Sequence, residues 1–496
     1  MKARHDRAGH WGARPVPMLT TGKVGYEVGG NVEATCFGGI AAVHRLVTRL
    51  GLAERIDERL DLLKVHLPYH ESDHVLNLAY NVLCGGTRLE DIERLRHDTA
   101  YMNALGADLI PDPTTAGDFC RRFADADVAE LMEAINTVRP ALWTGRGKDL
   151  LGPVAYIDVD GTIVGTAGHR KQGMDMSYKG IWGYAPLIVS LANTKEVLYL
   201  VNRPGNAPSH QDAAGWVDKA IELVVPHAPR VCLRGDTDFS LTANFDRWAE
   251  RVDFVFGMDN NAALRGRAEA LAEDSWHRLE RPLDAPGQQQ EKQQAEVVTR
   301  ARRDDVKQRI VTERGYLDLR LDHEDVAEFD YRPGKCGRPY RVVAVRKNIS
   351  RARGEQVLVE EIRYFFYITT RTDLTADQVV ACANARCDQE NIIGQLKSGV
   401  NALRVPLYDL TSNWAYMVIA ALAWNIKSWF AMMMHRKADR RAYIAMEYHR
   451  FLTGIILIPA MVIRRARAIT VRLIGYTPSL DRLFSVWRTI ERTRFG

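Results

Sequence analysis

The chain has 496 residues, 46% hydrophobic and 26% charged, a globular balance with room for two or three domains. A formal charge of +5 and a pI of about 8.7 are too mild to single out nucleic acid as a partner. The longest apolar run, Trp414 to Trp424, falls well short of the roughly 18 residues that span a bilayer, so it reads as a buried helix and no membrane partner is expected.

Residues 1–30 are rich in Gly, Arg and His and read as an arm, with no apolar core for a signal peptide. Residues 1–150 are expected to be helical, because 40–50 and 75–83 carry apolar side chains at helical spacing. Gly85-Gly86-Thr87 breaks the chain, 89–95 starts again, and Pro111-Asp112-Pro113-Thr114-Thr115 caps a helix over 116–123. Such short helices suit a helix-turn-helix reader and equally any small helical bundle.

At Val154 the texture changes. Residues 154–162 form an apolar strand ending in acid and glycine, and a period of two puts Asp158 and Asp160 on one side. Residues 185–192 and 196–202 read as a hairpin through Asn193-Thr194-Lys195. Ser209, with Asp212 three residues on, is expected to cap a helix to about Val225. Residues 230–236 make a second buried strand ending in an acid, followed by a helix with Phe245 and Trp248 and the strand Phe254-Val255-Phe256. This order predicts a mixed α/β sheet with helices over 151–260.

Residues 261–370 interrupt that scaffold. The polar run 286–294 is expected to be a mobile loop, and alternating stretches at 307–313, 316–321, 340–345 and 356–369 predict an antiparallel β insertion. Residues 371–434 return to the scaffold, and 435–496 read as basic helices. From Lys427 to Gly496 fourteen Lys/Arg stand against four Asp/Glu, which suits phosphate backbones or an anionic membrane. The seven cysteines form no Cys-x-x-Cys pair and read as reduced thiols, with no zinc site and no disulfide framework.

One helix, from Ala376 to a stop at Gly399, carries the third acid. Thr375 and Gln378 make a capping box at its start. At about 100° per residue, Glu390 falls about 40° and Lys397 about 20° from Arg386, so a carboxylate and two cations share a face. Taken alone, an Arg–Glu pair on a solvated face explains this as well. Asp160 would alone be a strand-end turn residue, and Asp236 a turn or cap before Phe239. Together, two strand-end acids and a helix acid can hold two divalent cations for in-line phosphoryl displacement, and oxygen-only ligands suit Mg²⁺ or Mn²⁺.

These segments resemble the DDE transposases of bacterial insertion sequences, closest to the thirteen-eighty group. The likeness runs over nearly the whole chain and is carried by residues 157–162, Arg203-Pro204-Gly205-Asn206, residues 233–239 and the Glu390 helix. Related cut-and-paste families carry a Tyr, Arg, Glu, Lys signature; Arg386, Glu390 and Lys397 match its spacing, while Ala383 stands at the Tyr position. The resemblance implies an RNase-H-like catalytic fold with a β insertion and the triad Asp160, Asp236 and Glu390. It also implies two Mg²⁺ (or Mn²⁺) per site, and Arg386 and Lys397 on DNA phosphate. Asp158 and Asp238 are close competitors of Asp160 and Asp236 and are placed as supporting residues, while Lys171, Lys179, His210 and Arg234 read as solvated surface or DNA contacts. The implied partners are transposon ends, target DNA and a second copy of the chain in a homodimer, in a bacterial cytoplasm close to the nucleoid. A nuclease or resolvase without strand transfer, and a non-catalytic DNA-binding remnant, are the competing readings.

Overall fold

The structure, a computed structural model, describes residues 26, 32–144, 150–168, 170–280, 317–353, 356–465, 468–475 and 477–495. The expected arm at 1–30 (apart from Tyr26), the polar loop 286–294 and the stretch 307–313 lie outside these. The elements that matter below begin with helices α1 (Ile40–Arg49), α2 (Leu52–Arg59) and α3 (Glu71–Leu83). Strands β1 (Ala155–Gly161), β2 (Leu187–Leu191) and β3 (Glu196–Val201) precede α4 (Ala213–Val224), β4 (Val231–Gly235) and β5 (Asp253–Met258). Then come β6 (Leu317–Tyr331), β7 (Tyr340–Arg353), β8 (Gln356–Thr369), α5 (Ala376–Asn384), α6 (Cys387–Gly394) and α7 (Leu410–Met432). A hairpin of β9 (Ala460–Arg465) and β10 (Ala468–Leu473) and helix α8 (Leu480–Arg492) close the series.

The chain divides into two compact units: Met1–Gly152, Gly161–Ala207 and Asn391–Gly496 in the first, Pro153–Asp160 and Pro208–Glu390 in the second. The second unit holds a mixed sheet. β1, β4 and β5 run parallel, β8 joins β5 antiparallel, and β7 and β6 continue beyond it as long antiparallel partners. A parallel core is covered on both faces, which is why β4, apolar but for Arg234, is buried along its length. Ala376, Val379 and Val380 of α5 pack on Cys232, Val255, Val343 and Val345, so one face of that helix is fixed against the sheet. Each such side chain contributes about 1.5–3 kcal/mol when fully buried. The β insertion is as expected, with 14 to 15 residues in each long strand.

In the first unit, β2 and β3 form the expected antiparallel hairpin, turning at Lys195 with φ +57°. The apolar helix α7 is buried almost throughout and packs on β3. Several of its polar groups are used inward. Asn425 exchanges two hydrogen bonds with the Val197 backbone, at 2.8 and 3.0 Å. Trp429 Nε1 donates to the buried Glu196 carboxylate at 2.7 Å, which also takes Trp143 Nε1, Thr194 Oγ1 and the Arg139 guanidinium. No described helix is long and apolar enough to cross a membrane.

Three local expectations differ from what is found. Ser209 does not cap α4; Asp212, left-handed at φ +55°, precedes it. The tail keeps helices at Lys437–Ala445 and α8, but 460–473 is a β-hairpin whose first strand pairs with Ala34–Thr35. Ala460 and Val462 turn inward while Met461 and Ile463 are half-exposed, a period of two that a basic-tail reading overlooks. The third difference is the helix that carries Glu390.

Candidate active site

β1 and β4 lie in register, with Asp158 opposite Arg234 as the last paired position. Asp160 and Asp236 each follow two residues later, so both acids stand at the same level on the carboxyl ends of neighbouring parallel strands. Gly235 is required for this turn. A Cβ there would lie 2.9 Å from Phe239 Cβ and 3.0 Å from the Phe256 ring. The chain bends tightly, and Asp236 accepts the Asp238 backbone N–H at 3.1 Å, capping the turn Thr237–Phe239.

Below the acids lies a buried clamp. Asp158 is fully buried and receives Arg234 Nε and Nη2 at 2.6 and 2.8 Å, a bidentate pair. Arg234 is 4% exposed, so the reading of it as solvated surface or a DNA contact is corrected. Burial alone would lower its pKa, but the charge of Asp158 and the two hydrogen bonds raise it. The guanidinium stacks 4.5 Å from the Tyr156 ring centre and gives its remaining arm, Nη1, to the Cys382 carbonyl of α5 at 3.1 Å.

The expected continuous helix breaks just beyond this bond. In an α-helix the Arg386 N–H would donate to the Cys382 carbonyl; here it donates to Ala383 O at 3.2 Å, and the Cys382 carbonyl receives Arg234. α5 therefore ends at Asn384, α6 starts at Cys387, and a π turn, Gln395–Gly399, follows. The capping box at Thr375 is present, with bonds of 3.0 and 3.3 Å. The single wheel from Ala376 to Gly399 does not hold, because the helix is interrupted at Ala385–Arg386 and again by the π turn Gln395–Gly399. Arg386 pairs instead with Asp160, Nη1 to Oδ2 at 2.8 Å.

Asp236 is partly buried, and burial raises its carboxyl pKa; Arg386 pulls it back and Asp238 pushes it further up. A cleft of about 850 Å³ opens beside Asp236 and Arg386, lined also by Arg265, Arg363, Tyr364 and Tyr367. Asp238 is exposed, as is Glu390 on α6. The structure thus brings Asp160, Asp236 and Arg386 into one electrostatic group. The carboxylate oxygens of Asp160, Asp236 and Glu390 are not all within 4.8 Å of one another. Lys397 belongs to the first unit, where it is exposed, and burial and then the like charge of Lys179 lower its pKa. Lys171 is not free surface, since its Nζ donates to the Val405 carbonyl. Lys179 and His210 are exposed.

The donor set fits a hard divalent cation. It is all oxygen, partly desolvated, and one of its carboxylates already holds a cation in the form of the Arg386 guanidinium. What sequence reasoning missed is the clamp. Its signal was an arginine inside an apolar strand, two residues before the acid, matched by an aspartate at the same distance on the other strand.

Residues 20–495 match the family described as transposase DDE domain, group 1. No curated protein matches. Among solved structures, one described as a cryo-EM structure of a piggyBac transposase synaptic complex with hairpin DNA is similar, at 11% identity and a TM-score of 0.37, covering 84% of this chain and 80% of that one. The family match runs over nearly every residue: the chain belongs to the DDE transposases, enzymes of DNA transposition whose chemistry is metal-dependent cleavage and strand transfer of DNA.

Proposed function

We propose that Asp160, Asp236 and Glu390 are the acidic triad of this transposase and hold two Mg²⁺ or Mn²⁺ ions. The reading rests on one observation above others: Asp160 and Asp236 stand level on adjacent strand ends, with Arg386 against Asp160. Bound metal supplies the stabilisation of the attacking and leaving oxygens of a phosphodiester. The protein's own groups do the rest. Glu390 on α6 completes the donor set by a movement of its exposed side chain. With a metal bound, Asp160 would be one of its ligands, and Arg386 would then be available to substrate phosphate, where its charge would offset the developing negative charge. Lys397 is a second phosphate contact, and Asp158 supports the site from below through Arg234. The reaction is hydrolysis at the transposon ends followed by attack of each 3′-OH on target DNA. Two ends require two active sites, so the working complex is a homodimer on DNA.

Removing the metal tests this first. Incubation with a DNA fragment carrying the element's terminal sequence should give 3′-OH cleavage with Mg²⁺ or Mn²⁺ and none with EDTA. Equal cleavage in EDTA refutes the mechanism.

Residues 1–150 and the tail 435–496 are assigned to gripping the ends, with the β insertion 261–370 flanking the site. Arg464 and Arg465 are exposed on β9. Reversing them to Glu, together with Arg467, should weaken end binding and reduce the slope of log K against log salt by about 0.9 for each phosphate the tail no longer neutralises. Binding measured over a salt series decides it; an unchanged affinity and slope would make the tail structural.

A further inference from the structure

A cluster outside the acidic site has the composition of a transition-metal centre. Among the described residues, His66, His70 and Glu71 are the only group of three or more His, Cys, Asp or Glu side chains whose ligand atoms all lie within 4.8 Å of one another. They belong to the first unit, His66 and His70 in the connection between α2 and α3 and Glu71 as the first residue of α3. Glu71 is 1% exposed, and its Oε1 accepts the backbone N–H groups of Leu62 and Leu63, each at 2.9 Å. Its orientation is therefore set by the backbone, and Oε2 faces His66 Nε2 at 3.3 Å. The His66 and His70 rings stack 4.9 Å apart, 27° from parallel. The His70 backbone is anchored separately, its N–H donating to Asp73 Oδ2 at 2.9 Å.

The distances suit a small cation. Ligands at 2.0–2.1 Å from a tetrahedral zinc ion lie about 3.3–3.4 Å from each other. The Glu71–His66 separation already has that value. The His70 ring is exposed and His66 is 45% exposed, so both can close the remaining gap by turning. The carboxylate, held by two backbone donors, is the kind of oriented ligand that metal sites use. An imidazole-rich set selects Zn²⁺ or a neighbouring transition ion over Mg²⁺.

We propose that His66, His70 and Glu71 bind one Zn²⁺-class cation, with water completing the coordination, and that this ion pins the 60–70 loop to the start of α3. It is a separate site from the all-oxygen triad and does not depend on it. Because Glu71 holds the Leu62 and Leu63 amides and His66 stands midway along the loop, a shared ion closes the loop at both ends.

The test uses the full-length chain, stripped of metal and titrated with Zn²⁺ by calorimetry, beside His66→Ala and His70→Ala. Both replaced rings are exposed, so both variants should fold, as circular dichroism verifies; His66→Gln and His70→Gln serve if either does not. The parent should bind one Zn²⁺ more tightly than either variant by at least about tenfold, since even outer-shell changes at metal sites cost 10–100-fold. Co²⁺ in place of Zn²⁺ should give a tetrahedral visible spectrum in the parent that both variants lose, and excess Mg²⁺ should leave that spectrum unchanged. Equal Zn²⁺ affinity and stoichiometry in parent and variants, or displacement by Mg²⁺, overturns the proposal and leaves a hydrogen-bonded His–Glu cluster only.

Discussion

Asp236→Asn and Glu390→Gln should each slow end cleavage by at least about 10³-fold, equivalent to about 4 kcal/mol of transition-state stabilisation. Each substitution keeps size and hydrogen-bonding capacity while removing the negative charge that holds a divalent ion. Affinity for the transposon end should change little, because it comes from cations on phosphate rather than from the acids. Asp238→Asn separates the two aspartates of the turn. Its carboxylate is exposed, and only its backbone N–H serves Asp236. Cleavage in that variant should stay within about tenfold of the parent, the low end of what an outer-shell change costs. Single-turnover cleavage with gel-shift binding on the same DNA provides both readouts. If Asp238→Asn is dead and Asp236→Asn active, the second triad position moves by two residues; if Glu390→Gln cleaves at the parent rate, the third acid lies elsewhere.

The second large effect is at the clamp. Arg234→Met leaves Asp158 buried with no countercharge and should destabilise the chain by about 3–5 kcal/mol. Asp158→Leu in the same chain removes the stranded charge, so the double variant should recover most of that loss. The two changes are strongly coupled because the residues share a bidentate bond. Cleavage should not recover in step. Arg234 also donates to the Cys382 carbonyl, four residues before Arg386, so its loss removes a tether between β4 and the segment that presents Arg386 to Asp160. Denaturant midpoints and cleavage rates on the two variants test this. A double variant that regains both stability and full cleavage would show the clamp to be structural filler with no say in Arg386.

Much was legible from residues alone where neighbours in sequence set the structure. The Thr375–Gln378 capping box is satisfied within one turn, so no distant group decides it. The apolar strands 154–160 and 231–235 could only be buried, and buried strands ending in Asp-Gly and Gly-Asp place acids at a sheet edge. The family resemblance is what proposes Glu390 as the partner of those acids, a choice that periodicity by itself left open. What only the tertiary structure decided concerns groups far apart in the chain. Where the 376–399 helix breaks, its Cys382 carbonyl receives a side chain 148 residues away, that of Arg234, a contact that local spacing does not specify. The partner of Arg386 is Asp160, 226 residues away, because the fold places the end of β1 beside the start of α6, which spacing along one helix cannot reveal. The 460–473 hairpin likewise forms against Ala34–Thr35, where backbone pairing with a distant edge overrides a locally ambiguous basic stretch.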